Sequence, residues 1–184
     1  GIDCRFASQH AGLGRYTRSI VTHLLQQSDV IEYVLFVQST DEAWIDDLPV
    51  NAAVQLQSAP FAHYSFAEQM QFPGIIKAAN IDLLFAPHFN VPLHCPVPFV
   101  VTIHDLILHR FPNQASWFKQ WAYRWVMHSA VQRAQSIIAV SQFTADELTS
   151  VYGQAIAQKT QVILEGVDDQ FQPQSEQDQQ AVCE

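Results

Sequence analysis

The fold is decided by residues 136–164, which read SIIAVSQFTADELTSVYGQAIAQKTQVIL. The run Ser136–Val140 is apolar enough to predict a buried strand, and Ser141 is placed to cap the following helix, which Gly153 ends. A second β-rich run, Thr160–Leu164, predicts the next strand. Two strands joined by a helix form a parallel pair, so this stretch predicts a βαβ unit.

The same alternation extends back to the first residue. The predicted strands are Gly1–Cys4, Ile31–Val37, Ala53–Gln57, Ile81–Ala86 and Pro98–Ile103, and the predicted helices are Leu13–Gln27, 65–79 and Ala115–Ala134. Ser65 and Glu68 have capping-box spacing, and Pro73–Gly74 predicts a kink or a break in that helix. Apolar strands alternating with helices predict an α/β fold: a Rossmann-like, three-layer parallel sheet with helices on both faces.

Composition and charge exclude several classes of protein. With 48% hydrophobic residues the 184-residue chain can bury a core, and its net charge of −9 argues against a nucleic-acid-binding protein. Residues 165–184 are acidic and contain no Lys or Arg. We therefore predict a Rossmann-like domain over residues 1–168 and an acidic, Gln-rich linker or tail over residues 169–184. Three cysteines without paired spacing, and no long apolar run, favour a cytoplasmic location.

The loop after the first strand is predicted to bind an anion. Gly12 and Gly14 allow a ligand to approach the backbone at a helix start, where free N–H groups attract phosphate. Arg5, Arg15 and Arg18 lie in the same stretch, although basic residues there oppose the helix dipole. The alternative is a tight turn followed by a solvated helix face.

His104 and Asp105 directly follow the strand Pro98–Ile103. An imidazole in that position can bond sugar hydroxyls or move protons near neutral pH, and the alternative is a structural His–Asp pair that ties down the loop. His88 and Asn90, after the preceding strand, are predicted to line a substrate groove. The set His88, His94, Cys95, His104 and His109 lacks the tight pairs of a zinc site, so no metal is predicted.

An aromatic stripe marks the helix Ala115–Ala134. Trp117, Trp121 and Trp125 recur every four residues. Such a stripe usually packs in a core, so we predict that Trp121 is buried. The alternative is a surface that faces lipid, with Lys119 and Arg124 nearby.

Four motifs occur in an order that matches one known family. They are Gly1-Ile2-Asp3-Cys4-Arg5 with Gly12-Leu13-Gly14-Arg15-Tyr16-Thr17, then Thr102-Ile103-His104-Asp105-Leu106 with Arg110-Phe111-Pro112, then residues 137–144, and then residues 162–171. Together they resemble the N-terminal, acceptor-side domain of family 4 (group 1) glycosyltransferases, which have the GT-B fold. One departure is Leu164-Glu165, where the family usually has Pro-Asn before Gly-Val-Asp.

The resemblance implies a retaining transferase that moves a sugar from a nucleotide-sugar donor to a glycan or glycolipid acceptor. A more specific expectation is a mannosyltransferase-like enzyme that takes part in the synthesis of cell-surface polysaccharide. The family's donor-binding C-terminal domain is absent from the chain, so we expect the isolated domain to be inactive. Glu176 and Glu184 have the family's Glu-x7-Glu spacing, but their Gln-rich surroundings indicate a chance match.

The resemblance also assigns roles to residues. By motif match it implies that His104 is catalytic and that Gly12 and Gly14 bind the donor diphosphate. We further predict that Arg15 binds the diphosphate and that Arg5, His88, Asn90, Asp105 and Ser141 bind the acceptor. No cofactor or metal is expected, because basic side chains and helix N-termini neutralise the diphosphate. The expected partners are the nucleotide-sugar, a glycan or lipid-linked acceptor and the protein's own C-terminal domain, with no nucleic acid. A peripheral contact with the inner face of a membrane is a further expectation.

The alternative function is a non-catalytic, Rossmann-like module that binds a nucleotide or an anion. A dinucleotide-binding domain carries a third glycine in its first loop and an acidic residue at the end of its second strand. Here the predicted second strand is followed by Gln38-Ser39-Thr40, and no third glycine follows Gly14 at the required distance. The sequence therefore favours the transferase.

Overall fold

The computed structural model describes residues 1–27, 30–49, 53–110 and 117–167. Seven strands in these ranges form one parallel sheet: β1 Ile2–Asp3, β2 Tyr33–Val37, β3 Val54–Ser58, β4 Leu84–Ala86, β5 Phe99–Ile103, β6 Ser136–Ala139 and β7 Thr160–Val162. The helices are α1 Gly12–Gln27, α2 Phe66–Ala78, α3 Ile107–Arg110, α4 Trp117–Arg133, α5 Gln142–Tyr152 and α6 Gln154–Ala157, with a 3-10 turn at Ala43–Ile45. The predicted α/β fold is confirmed, and only the short elements α3, α6 and 43–45 were not predicted. The predicted tail lies outside the described residues.

The strand order is β3-β2-β1-β4-β5-β6-β7, so the direction of winding reverses between β1 and β4. Ile2 of β1 pairs with Leu35 of β2 on one side and with Phe85 of β4 on the other. In open parallel sheets a crevice forms at such a reversal, outside the carboxyl ends of the strands. By this rule we expect the loops after β1 and β4 to line a binding site.

Both faces of the sheet are covered. Leu35 and Val37 of β2 pack with Val21 and Leu25 of α1, whereas Phe36 points to the opposite face and joins the larger core. Alternate residues of one strand therefore pack into different cores on the two faces of the sheet, which is why the inner strands are apolar throughout. The outer strands β3 and β7 have one neighbour each and are mostly exposed.

The sequence predicts either a kink or a break at Pro73; helix α2 is continuous through this residue, so the break is absent. A proline removes one backbone hydrogen bond, and the fully buried side chains of Phe72 and Ile76 hold the helix to the core around it. The predicted cap is confirmed, since the Ser65 hydroxyl accepts from the Glu68 N–H at 3.1 Å.

The predicted burial of the tryptophan stripe is wrong. Trp117, Trp121 and Trp125 are 79%, 57% and 52% exposed. Helix α4 instead buries Tyr123 and Met127. At 100° per residue Tyr123 lies on the side of the helix opposite Trp121, so the helix has two apolar faces and packs with the one that lacks tryptophan.

No helix among the described residues is both long enough and apolar enough to span a bilayer.

Candidate functional site

The floor of the crevice between β1 and β4 is a buried ion-pair network, which we call the Arg5 network: Asp3, Arg5, Glu68 and Asn90. The Arg5 side chain has no exposed surface. Its Nε and Nη2 donate to the two carboxylate oxygens of Asp3 at 2.8 and 2.7 Å, and its Nη1 lies 2.6 Å from Oε1 of Glu68. Burial alone would lower the pKa of Arg5, but Asp3 and Glu68 outweigh it and raise that pKa.

Glu68 holds the loops on both sides of the crevice. Besides its contact with Arg5, its carboxylate accepts from Nδ2 of Asn90 at 2.8 Å and from the backbone N–H of Tyr64 at 2.7 Å. Burial raises the pKa of Glu68, although Arg5 and Asn90 oppose this effect. Tyr64 has a φ of 61°, which is rare for an aromatic residue, and the Glu68 bond helps to keep it there.

A cluster of aromatic and histidine rings lies beside this network. Phe6 stacks on His63 with ring centroids 3.6 Å apart, and His88 packs against both Phe6 and Phe89 at 4.9 and 4.1 Å. Burial, followed by the nearby His104 and His63, lowers the pKa of His88 to about 3. His88 is therefore neutral at neutral pH, which agrees with its Nδ1 accepting from the Asn90 N–H at 3.3 Å.

His104 joins four strand-end segments. Its Nε2 lies 2.9 Å from the carbonyl oxygen of Pro87, and its Nδ1 lies 3.0 Å from Oε1 of Glu165. Its backbone carbonyl accepts from the Thr144 hydroxyl at 3.2 Å, and its ring meets Tyr16 edge-on at 4.8 Å. The loop that carries His104 is thus fixed by neighbours after β4, β6 and β7 and by α1.

The two glycines of the first loop differ in their surroundings. A Cβ atom at Gly14 would collide with the carbonyl oxygens of Gln9 and Phe6, so glycine is required there by the fold. A Cβ atom at Gly12 would meet nothing within 4 Å. The open backbone at the start of α1 is therefore near Gly12.

The three arginines of the first loop also differ in their surroundings. Arg18 donates to the carbonyl oxygens of Ala7 and Gln9 and so braces the loop. Arg5 lies beneath the crevice, and direct contact with an acceptor would require it to leave both carboxylates. Arg15 is exposed at the start of α1. Of the three, Arg15 is the cation that the fold presents to solvent.

Two of the predicted acceptor-binding residues also stabilise helix starts. Oδ1 of Asp105 accepts from the Ile107 N–H at 2.9 Å, and the Ser141 hydroxyl accepts from the Thr144 N–H at 3.1 Å. The bond from Thr144 to the His104 carbonyl places the start of α5 next to His104. His88 and Asn90 lie at the crevice, as expected for residues after β4.

Sequence reasoning missed several residues of the site: Phe6, Tyr16, His63, Tyr64 and Glu68. Glu68 was identified as a cap, but nothing in the chain order indicates that it also pairs with Arg5. Tyr16 follows the glycine loop directly, which was an available signal. Among the described residues, no three His, Cys, Asp or Glu side chains lie together so as to hold a metal ion.

Comparisons with known proteins agree with this geometry. Residues 10–171 match the model of Glycosyltransferase Family 4. Two crystal structures of HepE from Anabaena, one in complex with UDP and glucose and one with UDP-glucose, superpose with a TM-score of 0.61 at 18% identity, covering 98% of this chain and 48% of HepE. A third, in complex with UDP, gives 0.60 at 19% identity over 98% and 47%. The chain thus spans about half the length of HepE, and the likeness shows a shared fold. No curated protein matches the chain in sequence.

Proposed function

Because this chain belongs to Glycosyltransferase Family 4, we propose that the full-length protein transfers a sugar from a nucleotide-sugar donor to a glycan or glycolipid acceptor. In this proposal the transfer retains the configuration of the sugar, the chain supplies the acceptor side of the cleft, and a second domain supplies most of the donor contacts. The observation that carries the proposal is the position of His104. It lies at the carboxyl edge of the sheet, between the ring cluster around His88 and the start of α1.

The donor diphosphate is proposed to bind at the start of α1. Gly12 leaves the backbone open, Arg15 adds a cation, and the first turn of the helix contains no acidic residue. A helix N-terminus attracts phosphate through its free N–H groups, so we propose no metal or cofactor at this end. Gly14 contributes by letting the loop pack closely on the helix.

The acceptor is proposed to bind over the crevice, near His88, Asn90, Asp105 and Ser141. Sugar sites combine apolar rings with a few fixed polar groups, and the Tyr64 ring beside His88 adds an exposed aromatic surface. Arg5 supports this surface from below through Glu68.

A donor screen on the full-length protein tests the proposal. UDP-glucose is the first probe because HepE was crystallised with it, and GDP-mannose tests the mannosyltransferase-like form. Binding is measured by calorimetry, transfer by release of the nucleotide, and retention by NMR of the anomeric proton in the product. Binding of a nucleotide-sugar without transfer to any glycan would favour the non-catalytic binding module instead. For residues 1–184 alone we expect no turnover and weak binding; submillimolar binding would contradict the assumed division of labour.

A peripheral contact with the inner face of a membrane is proposed for the outer side of α4. The Trp121 and Trp125 rings lie 5.5 Å apart on this side, and the helix carries Lys119 and Arg124 but no acidic residue, in a chain of net charge −9. Exposed tryptophan with local positive charge suits an anionic bilayer surface. In this proposal the full-length protein lies in the cytoplasm, next to lipid-linked acceptors.

Vesicle sedimentation tests the membrane contact. The double variant Trp121→Ser/Trp125→Ser should lose most binding to vesicles that contain anionic phosphatidylglycerol. Phe66→Ser is the control, because Phe66 is an even more exposed aromatic residue and lies on α2. Equal binding of the double variant and the control would refute the contact.

A further inference from the structure

The contact between His104 and Glu165 uses the side of the imidazole that faces solvent. Glu165 lies three residues after the end of β7, and its carboxylate Oε1 is 3.0 Å from Nδ1 of His104. The side chains of His104 and Glu165 are 21% and 50% exposed. The sequence gives no hint of this contact, because the two residues are 61 positions apart.

Both ring nitrogens of His104 face acceptors. Nε2 faces the carbonyl oxygen of Pro87 at 2.9 Å, and a carbonyl oxygen can only accept a hydrogen bond. Nδ1 faces a carboxylate, which in its ionised form also only accepts. The ring therefore has no nitrogen left for a substrate while both contacts are in place.

The two contacts differ in how easily a ligand can replace them. Pro87 is buried and belongs to the wall of the crevice, so Nε2 is anchored to the fold. Glu165 is half exposed, and an ion pair of that kind contributes only about 0–1 kcal/mol. Water can hydrate the carboxylate after it is displaced, so Nδ1 is the nitrogen that a ligand can take.

We propose that Glu165 holds Nδ1 of His104 in the absence of substrate, and that a sugar hydroxyl of the nucleotide-sugar donor takes over this nitrogen when it binds. This inference rests on the proposed function, because it names what one side chain does at that site. Glu165 is thus a competitor of the donor and not a ligand for it. The predicted sign is unusual: removing a polar residue from the site improves binding.

The first test measures the Kd of UDP-glucose, or of whichever nucleotide-sugar the donor screen identifies, for the full-length protein. Glu165→Ala should lower the Kd about two- to fivefold, since an exposed ion pair contributes up to about 1 kcal/mol. Glu165→Gln should give a smaller gain, because the amide oxygen still accepts. The matched control is Glu147→Ala, which removes the ion pair with Arg110 and leaves His104 untouched. An unchanged or higher Kd for Glu165→Ala would overturn the proposal.

The second test needs no ligand. Diethyl pyrocarbonate acylates free imidazole nitrogens, and mass spectrometry of peptides follows the reaction at His104, with exposed His94 as the internal standard. The rate at His104 relative to His94 should rise severalfold in Glu165→Ala and stay unchanged in Glu147→Ala. An equal rate in wild type and Glu165→Ala would show that Glu165 does not cover Nδ1. If wild type binds no nucleotide-sugar in the donor screen, the proposed function fails together with the donor's part in this exchange. The labelling rate still decides whether Glu165 covers Nδ1 of His104.

Discussion

The Arg5 network and the His104–Glu165 pair lie at the same carboxyl edge of the sheet, yet solvent reaches only one of them. Arg5 and Glu68 are fully buried, whereas His104 and Glu165 are partly exposed. Breaking a buried pair leaves a charge without water, and breaking an exposed pair returns both charges to water. The same kind of contact therefore fixes the fold on one side of the crevice and can be exchanged for a ligand on the other.

The difference in exposure between the Arg5 network and the His104–Glu165 pair follows from the elements that each of them connects. The Arg5 network joins the end of β1 to α2 and to the loop after β4, all of which pack under the site. The His104 pair reaches the segment after β7, an exposed edge strand. Four predictions test the contrast between a rigid side and an exchangeable side.

The largest expected effect is on the rigid side. Arg5→Met should lower the free energy of unfolding by about 3–5 kcal/mol, because Asp3 and Glu68 remain buried without their partner. Urea unfolding measures it, and Arg110→Met is the control, since Arg110 pairs with Glu147 while 51% exposed and should cost less than about 1 kcal/mol. Similar losses of unfolding free energy in the two variants would contradict the contrast between the buried and the exposed ion pairs.

Replacing His104 should affect chemistry more than folding. In the full-length protein His104→Ala should lower turnover by about 10²–10⁴-fold, the range for a positioned polar catalyst, with a much smaller change in donor affinity. A purely structural His104 would lower the thermal midpoint instead, with activity falling in proportion to folded protein. Turnover and melting are measured on one preparation, with His94→Ala as the exposed histidine control. Near-normal turnover in folded His104→Ala would exclude a catalytic role.

Acid should destabilise the protein through His88. Its pKa is lowered from 6.5 to about 3 in the folded state, so the unfolded state binds the proton first. Above pH 6.5 His88 is neutral in both states, and its contribution to the free energy of unfolding is at its maximum. Between pH 6.5 and 3 this contribution falls by up to about 1.4 kcal/mol per pH unit. Urea unfolding between pH 7 and 4 should show a flatter decline in His88→Asn than in wild type. Parallel declines would mean that His88 is accessible to protons in the folded state.

The smallest expected effect is at Ser141, which caps α5 and is also proposed to bind the acceptor. Ser141→Ala should cost about 1 kcal/mol, because it removes the cap of α5, and Ser141→Asp should restore the stability because Asp also caps well. Thermal unfolding measures both. Transfer activity of Ser141→Asp then separates the roles: full activity would show that capping is the only task of Ser141, and lost activity would support acceptor binding.

Most of the fold was predictable because strand and helix positions depend on local patterns. The run Ser136–Val140 predicted β6, and Ser141 and Gly153 marked both ends of α5. The face that a helix buries depends on its neighbours as well, which is why the predicted burial of Trp121 in α4 was wrong. Four-residue spacing fits Trp121 and Trp125, but it also fits Tyr123 and Met127, which form the face that packs.

The site was predictable only in part, for a related reason. Parallel strands bring their carboxyl ends together, so the loop residues His88, Asn90 and His104 could be assigned to one region. The partners that set their properties come from distant segments. Glu68 meets Arg5 across 63 positions and Glu165 meets His104 across 61, and neither pair leaves a spacing that a sequence can show.

The two glycines of the first loop should differ sharply in the substitutions that they tolerate. At Gly14 the backbone of the loop leaves no room for any side chain, whereas at Gly12, two positions earlier, the space is open. A library randomised at position 12 should therefore yield folded variants of every size and charge, while one randomised at position 14 should return glycine alone. Because the donor diphosphate is proposed to bind beside position 12, substitutions there should change donor preference without repacking the domain.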